Sequence, residues 1–304
     1  GGDFDWWHYS PWFLDFAAWS WDQWLTQTPI AAFYLDDVWG GPQKQLGGPE
    51  APAYALPDGH IQPGYQFLEY RERFKRMRRL FYENGKVPVM CIHMTHTYFT
   101  PYCSFFDTML EGEDRYPNRE KPFEETRDFL DKWPLDRLRF HHADKWGLTS
   151  AWLGWGERWG WRKEKQWYAH QENAYTAAMA LHDIEWRFPV EYMAASGFRN
   201  ADTEFIPYWA ADKPYRTAHE STRLAVWKRE GKCLVLAVNT GDAQTDATIT
   251  FDLPSLGLGA AAEITDIRPE LAESDFSWRD GQLRCAIKRH EYKLFEIGNR
   301  NERD

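Results

Sequence analysis

Short apolar runs alternate with amphipathic segments over the first two thirds of the chain. Residues 30–35 (IAAFYL) form an apolar run that ends in two aspartates. Further runs cover residues 87–93 (VPVMCIH), 104–111 (SFFDTMLE) and 148–153 (LTSAWL). Runs of this length that are apolar on both faces are typical of buried parallel strands. The pattern therefore predicts four such strands, each with polar residues at its carboxyl end.

Helical periodicity separates these runs. Apolar side chains recur at spacings of three and four between residues 67 and 81, and Gly85 follows as a stop signal, so an amphipathic helix is predicted there. Residues 171–184 predict an Ala-rich helix. Strands that alternate with helices, with polar residues at the strand ends, are typical of a β/α (TIM-type) barrel.

Only four of the eight strands of a closed barrel are visible, so we interpret residues 1–203 as the C-terminal half of such a barrel. A doubly wound open sheet is the alternative, but no glycine-rich phosphate-binding motif follows any run. The chain does not begin with methionine. We expect it to be a processed product or a fragment of a longer protein.

From about residue 204 the pattern changes to short alternating segments. The motifs Arg229-Glu230-Gly231 and Asp280-Gly281 supply hairpin turns between two pairs of them. We expect residues 204–298 to form a small antiparallel β-sandwich, followed by a polar tail at residues 299–304. The seven predicted strands cover residues 224–228, 232–239, 246–253, 263–267, 276–279, 282–287 and 293–297.

Charge and composition exclude several classes of partner. The net charge is −10, and the basic cluster at residues 71–79 (RERFKRMRR) is interpreted as the solvated face of a helix, so nucleic acid is not expected as a partner. The sequence contains no run of about 18 apolar residues, so no membrane-spanning helix is predicted. The four cysteines show no CxxC spacing.

The number of tryptophans, 18, is unusually high. Indoles that stack on sugar rings next to carboxylates are typical of a sugar-binding groove, although indoles also fill protein cores.

Carboxyl side chains gather at the predicted strand ends. Glycoside hydrolysis needs two carboxyl groups facing each other across a sugar. Asp36 and Asp37 follow the first run, and strand alternation lets at most one of them point directly into the barrel mouth. The other would orient it, although helix capping or loop ordering is an alternative for the pair. Glu113 is a further catalytic candidate because Gly112 would let its side chain lie over the same mouth.

Other residues at these ends are candidates for substrate binding. Asp107 and Glu111 share one face of the predicted third strand. His93 ends the second strand and could bind a sugar hydroxyl, with a buried structural histidine as the alternative. Trp39 and Trp155 would stack on sugar rings. A metal site is not expected, and the reaction requires no cofactor.

Four segments together resemble the later part of bacterial glycoside hydrolase-like proteins related to the family 123 β-N-acetylgalactosaminidases. They are residues 33–37 (FYLDD), 106–113 (FDTMLEGE), 180–183 (ALHD) and 234–239 (LVLAVN). The resemblance implies a barrel with a C-terminal β-sandwich, an N-acetylhexosaminide substrate and an extracytoplasmic location.

In that family, an adjacent Asp-Glu pair acts with the substrate's own N-acetyl group: the Asp orients the acetamido nucleophile and the Glu donates the proton. The matching positions here are Asp36 and Asp37, so an Asp stands in place of the Glu. Its shorter side chain makes Glu113 a rival for the acid. We expect a glycoside hydrolase. A non-catalytic carbohydrate-binding protein on the same fold and a structural or assembly domain are the alternatives.

Overall fold

In the computed structural model, the chain is described over residues 11–36, 38, 53–93, 100–112, 128–140, 147–152, 165–185, 187–268 and 276–299. Its contacts divide into two compact units, residues 1–115 with 145–153 and residues 116–144 with 154–304. Within the described ranges, no helix is long and apolar enough to cross a bilayer.

The first unit contains a parallel sheet and the helices that cover it. In chain order its described elements are α1 (Pro11–Gln27), β1 (Ala32–Leu35), β2 (Tyr54–Ala55), β3 (Ile61–Gln62), α2 (Phe67–Glu83), β4 (Val89–His93), α3 (Thr100–Cys103), β5 (Thr108–Glu111) and β6 (Thr149–Trp152). Strands β1, β4, β5 and β6 are parallel neighbours in that order, and β2 pairs with β3. All four predicted strands are therefore confirmed, and the described strands form no closed barrel.

One face of this sheet is covered by α1 and α2. Met90, Ile92 and Met109 of the sheet belong to the same buried cluster as Phe74 and Phe81 of α2. The predicted amphipathic helix is confirmed, because α2 buries the apolar positions that recur at spacings of three and four. Side chains that alternate with this cluster lie on the other face of the sheet, which is partly exposed in the described structure.

Strand β1 is less buried than its sequence predicts. Its four residues alternate between exposed and intermediate burial, although the run IAAFYL is apolar on both faces. In the described sheet, β1 lies at one edge and pairs with β4. The expectation of a fully buried strand was therefore wrong, since an apolar run does not reveal whether its strand is central or at an edge.

The second unit is dominated by the predicted sandwich. Its described elements are α4 (Phe129–Lys132), α5 (Leu135–Leu138), α6 (Lys165–Leu181), α7 (Arg187–Ala195), β7 (Glu204–Ile206), β8 (Tyr215–Thr217), β9 (Thr222–Arg229), β10 (Lys232–Asn239), β11 (Thr245–Phe251), β12 (Glu263–Asp266), β13 (Phe276–Arg279), β14 (Gln282–Ile287) and β15 (Tyr292–Gly298). The antiparallel sheets β12-β15-β10-β9-β7 and β13-β14-β11-β8 enclose one apolar core. The seven predicted strands are β9 to β15, and the structure adds β7 and β8.

Helix α6 belongs to the same compact unit as the sandwich. Its residues Ala177 and Leu181 share a buried cluster with Leu236 of β10 and Leu294 of β15. This division of the chain differs from the boundary predicted near residue 203. The sequence places α6 among the strand-helix repeats, whereas its apolar face packs on the outer side of a sandwich sheet.

Candidate active site at the carboxyl end of the parallel sheet

The carboxyl ends of β1 and β4 bring three polar side chains together. The register pairs Leu35 with Ile92, so that Asp36 follows β1 directly beside His93, the last residue of β4. Tyr34 lies two residues before Asp36 and therefore on the same face of the strand. Because parallel strands end at the same edge of a sheet, this face presents Tyr34, Asp36 and His93 together.

The imidazole of His93 is the centre of this group. Its Nδ1 atom lies 3.0 Å from Oδ1 of Asp36 and 2.5 Å from the hydroxyl oxygen of Tyr34. The His93 side chain is 2% exposed, whereas that of Asp36 is 61% exposed. The main-chain N–H of Val38 also donates to the carbonyl of His93 at 3.1 Å, which ties the segment after Asp36 to β4. The result is an exposed carboxylate held by a buried imidazole.

The structure brings two of the predicted site residues, Asp36 and His93, together in this group, and their roles stay predictions. Tyr34 and Asp36 both contact His93, so they lie on the same face of the sheet. The burial of His93 matches the alternative of a structural histidine rather than a side chain presented to sugar. The hydroxyl of Tyr34 was not selected from the sequence. Its i, i+2 spacing from Asp36 is the signal that could have identified it.

Asp107 lies at the other end of the sheet. It comes before β5, and its carboxylate accepts hydrogen bonds from Nη1 and Nη2 of Arg78 at 3.0 and 2.9 Å. It also accepts from the main-chain N–H of Met90 at 2.9 Å. The hydrogen bond from Arg78 to Asp107 raises the pKa of that arginine. The structure therefore does not bring Asp107 together with Asp36, because the apolar run 104–111 begins well before the strand does.

Glu111 is the last residue of β5, but it belongs to the opposite face of the sheet. It alternates with Leu110, which pairs with His93, and it shares its face with Met109 in the helix-covered cluster. Its side chain is buried. Glu111 is therefore not brought together with Asp36 either. Gly112 has a φ of +106°, and a Cβ atom there would collide with the indole of Trp152, so this position requires glycine.

Four predicted site residues lie outside the described residues. They are Asp37, Trp39, Glu113 and Trp155. Their roles stay predictions.

A second group of titratable side chains, the Asp128 cluster, lies in the second unit. The fully buried carboxylate of Asp128 contacts Nε2 of His170 at 2.9 Å, Nδ1 of His290 at 2.7 Å and Nη1 of Arg289 at 2.9 Å. Burial alone would raise the pKa of Asp128, but hydrogen bonds from His170 and His290 outweigh burial and hold it well below its usual range. Hydrogen bonds to Asp128 and Glu291 raise the pKa of His170 to about 9.

The Asp128 cluster also has the outline of a cation site. Asp128, Asp131 and His290 offer ligand atoms within 4.8 Å of one another. However, the guanidinium of Arg289 donates to both carboxylates, at 2.9 Å to Asp128 and 2.5 Å to Asp131. The main-chain N–H groups of Leu130 and Asp131 donate to Asp128 as well. A positive charge already occupies the cluster, which fits a helix-capping ion-pair network better than a metal centre.

Comparisons with known proteins bear on the fold. No protein-family model matches the sequence, and no curated protein matches it. The resemblance to family 123 therefore stays a hypothesis.

Solved structures of glycoside hydrolases with a TIM-barrel-like fold are similar to this chain. The maltogenic alpha-amylase AmyB from Thermotoga neapolitana aligns with a TM-score of 0.50 and 10% identity, over 95% of this chain and 66% of the amylase. A GH27 β-L-arabinopyranosidase from Geobacillus stearothermophilus aligns with a TM-score of 0.44 and 13% identity, over 93% of this chain and 62% of the arabinopyranosidase. A family 30 xylanase from Clostridium acetobutylicum aligns with a TM-score of 0.44 and 9% identity, over 95% of this chain and 73% of the xylanase. The chain thus spans about two thirds or less of the first two proteins, and at these identities the likeness concerns the fold alone.

Proposed function

We propose that the protein is a glycoside hydrolase whose substrate binds at the carboxyl end of the sheet β1-β4-β5-β6. The observation that carries the proposal is the pair of Asp36 and His93, an exposed carboxylate held 3.0 Å from a buried imidazole where two parallel strands end. Active sites of β/α-barrel proteins gather at this end of the strands. The similarity in fold to a maltogenic amylase supports the same reaction class without naming a substrate.

Asp36 is the reacting or orienting carboxylate in this proposal. A carboxylate can act as the nucleophile at the anomeric carbon, or it can orient the substrate's acetamido group, the role that the resemblance to family 123 implies. Its exposure lets it reach a bound sugar, and an N–H of His93 would keep its negative charge in one place. Such a fixed position matters because small errors in the placement of reacting groups slow the chemical step.

The proton donor is Asp37 or Glu113 in this proposal. Asp37 follows Asp36 directly, but its side chain is one methylene shorter than the Glu found at the matching position of family 123. Glu113 follows the strand end of β5 and has the longer side chain. Trp39 and Trp155 would stack on the sugar rings, since indoles offer large flat apolar surfaces.

The first experiment measures release of 4-nitrophenol from a panel of 4-nitrophenyl glycosides that includes N-acetylhexosaminides. Asp36→Asn should abolish release while the protein stays folded. Asp58→Asn is the matched control, because Asp58 is an exposed aspartate of the same unit in the β2–β3 turn. Full activity of Asp36→Asn on every substrate that the wild type hydrolyses would overturn the proposal.

A second experiment separates the two candidate acids. A substrate with a strongly activated leaving group, such as a 2,4-dinitrophenyl glycoside, needs little protonation of its departing oxygen. The variant that lacks the true acid should therefore lose activity on a methyl glycoside but keep most of it on the dinitrophenyl substrate. Asp37→Asn and Glu113→Gln are compared in this way. If each variant loses as much activity on the dinitrophenyl glycoside as on the methyl glycoside, neither Asp37 nor Glu113 is the proton donor.

Carbohydrate binding without hydrolysis is the second candidate function. The Asp-Asp pair at positions 36 and 37, which departs from the Asp-Glu pair of family 123, favours it. Calorimetric titration with the sugars of the same panel distinguishes the two. Binding that is unchanged in Asp36→Asn, together with no release of 4-nitrophenol by the wild type, would favour the binding protein.

A further inference from the structure

Tyr34 is tied to the proposed site by a contact that the proposed function does not use. Its hydroxyl oxygen lies 2.5 Å from Nδ1 of His93, the same atom that lies 3.0 Å from Oδ1 of Asp36. Both oxygens therefore meet one ring nitrogen. The Tyr34 ring is half-exposed on the face of the sheet that the helices do not cover.

The chemistry of the three groups restricts where the protons lie. An ionised carboxylate only accepts hydrogen bonds, a hydroxyl can donate or accept, and an imidazole nitrogen does one or the other. If Nδ1 of His93 lacked a proton, its lone pair would face the carboxylate of Asp36. If Nδ1 carries the proton, it donates to Asp36, and the oxygen of Tyr34 is a second acceptor. The two oxygens together therefore favour the protonated Nδ1, since both can accept its hydrogen while the hydroxyl hydrogen of Tyr34 points elsewhere.

We propose that Tyr34 is a positioning residue of this site: together with Asp36 it holds His93 in the Nδ1-protonated form, and His93 in turn fixes the carboxylate of Asp36 for the reaction. The inference rests on the proposed function, because it assigns Tyr34 a part in the work of Asp36. Two acceptors on either side of Nδ1 restrict rotation of the imidazole. Loss of one acceptor leaves the ring and the carboxylate with more than one arrangement.

Tyr34→Phe tests this role with little risk to folding, since the ring is kept and the side chain is half-exposed. Nitrogen-15 NMR of the ligand-free protein reports which ring nitrogen of His93 carries the proton, and its signal is assigned through the bonds to its own backbone. The wild type should show the Nδ1-protonated form, and Tyr34→Phe should show a mixture. In steady-state hydrolysis, kcat should fall about tenfold with KM almost unchanged. Tyr54→Phe, an exposed tyrosine of strand β2, is the control and should change neither.

The outcomes separate this inference from the proposed function. A Tyr34→Phe variant with wild-type kcat and the wild-type His93 spectrum would overturn the role of Tyr34 even if Asp36→Asn is inactive. A wild-type protein in which Nδ1 of His93 carries no proton would overturn it as well. The NMR arm needs no substrate, so it decides the inference when no glycoside is hydrolysed. An inactive wild type with the expected shift in the His93 spectrum would refute the proposed function and leave only the Tyr34–His93 coupling.

Discussion

The two ends of the parallel sheet in the first unit carry charged groups in opposite ways. At the amino end, Arg78 and Asp107 form a two-pronged ion pair. The ammonium group of Lys86 donates to the carbonyls of Leu25, Thr28 and Ile30 at 2.6, 2.8 and 2.8 Å. At the carboxyl end, the charged group is the exposed carboxylate of Asp36, which contacts the buried imidazole of His93.

In the proposed function, this difference separates a stabilising role at the amino end of the sheet from a chemical role at the carboxyl end. Charged groups at the amino end form hydrogen bonds with main-chain atoms and with each other, and these bonds hold α1, α2 and the strands together. The carboxylate of Asp36 at the carboxyl end has most of its surface open to a ligand. A carboxylate already surrounded by donors in the folded protein has little left to offer a substrate, and Asp107 is such a case.

The largest expected effect is on turnover at the carboxyl end. Asp36→Asn should lower kcat by about 10³-fold, because the amide cannot act as a nucleophile or hold a developing positive charge. Its thermal unfolding should match that of the wild type, since the side chain is mostly exposed. Calorimetric titration should still detect sugar binding. Simultaneous loss of folding and activity would remove the contrast between the two ends.

The next largest effect concerns packing at the carboxyl end of β5. Gly112→Ala should lower the free energy of unfolding by about 3 kcal/mol, since the new methyl group meets the Trp152 indole and the backbone has a positive φ. Gly59→Ala is the matched control. Its φ is +85°, but a Cβ there meets nothing within 4 Å, so only conformational strain of about 1 kcal/mol is expected. Urea unfolding measures both, and equal losses would contradict the role of Trp152.

A smaller effect is expected at the amino end. Asp107→Asn weakens the ion pair with Arg78 and should cost about 2 kcal/mol of unfolding free energy. Asp15→Asn breaks a more exposed pair with Arg76, for which about 0.5 kcal/mol is expected. Chemical denaturation of the two variants compares the pairs. A larger loss in Asp15→Asn would show that burial does not set the contribution of these charges.

The smallest effect is a pH dependence of the Asp128 cluster, which serves as a structural counterpart of Asp36 in the second unit. His170 has a pKa of about 9 in the folded protein, above its usual 6.5. Its contribution to the free energy of unfolding, about 1 kcal/mol, is therefore complete below pH 6.5 and is lost as the pH rises through about 9. Thermal unfolding between pH 6 and 10 should show this loss in the wild type and less of it in His170→Gln. The control, His219→Gln, changes an exposed histidine and should keep the wild-type profile.

Sequence periodicity predicted the strands and helix α2 well because both follow from local alternation of apolar residues. The ends of the elements were less accessible. Phe106 packs in the core before β5 begins, so the apolar run 104–111 is longer than the strand and misplaces Asp107. Arg78 was interpreted as part of a solvated face, since its partner lies 29 residues away and becomes visible only through the packing of α2 on the sheet.

The candidate site could be predicted only in part. The position of Asp36 follows from the end of the first apolar run. Its contact with His93 depends on the register of β1 against β4, which no local pattern specifies. Tyr34 was missed because its contact with His93 depends on the same register. The register of β4 against β5, which pairs His93 with Leu110, puts Glu111 on the other face of the sheet.

The most direct test compares the same chemical change at the two ends of one sheet. Asp36→Asn and Asp107→Asn are assayed for glycoside hydrolysis, and each rate is divided by the concentration of folded protein. The account predicts that Asp36→Asn loses nearly all turnover per folded molecule while Asp107→Asn keeps that of the wild type. Full turnover in Asp36→Asn, or an equal loss in both variants, would contradict the claim that the carboxyl end carries the chemistry.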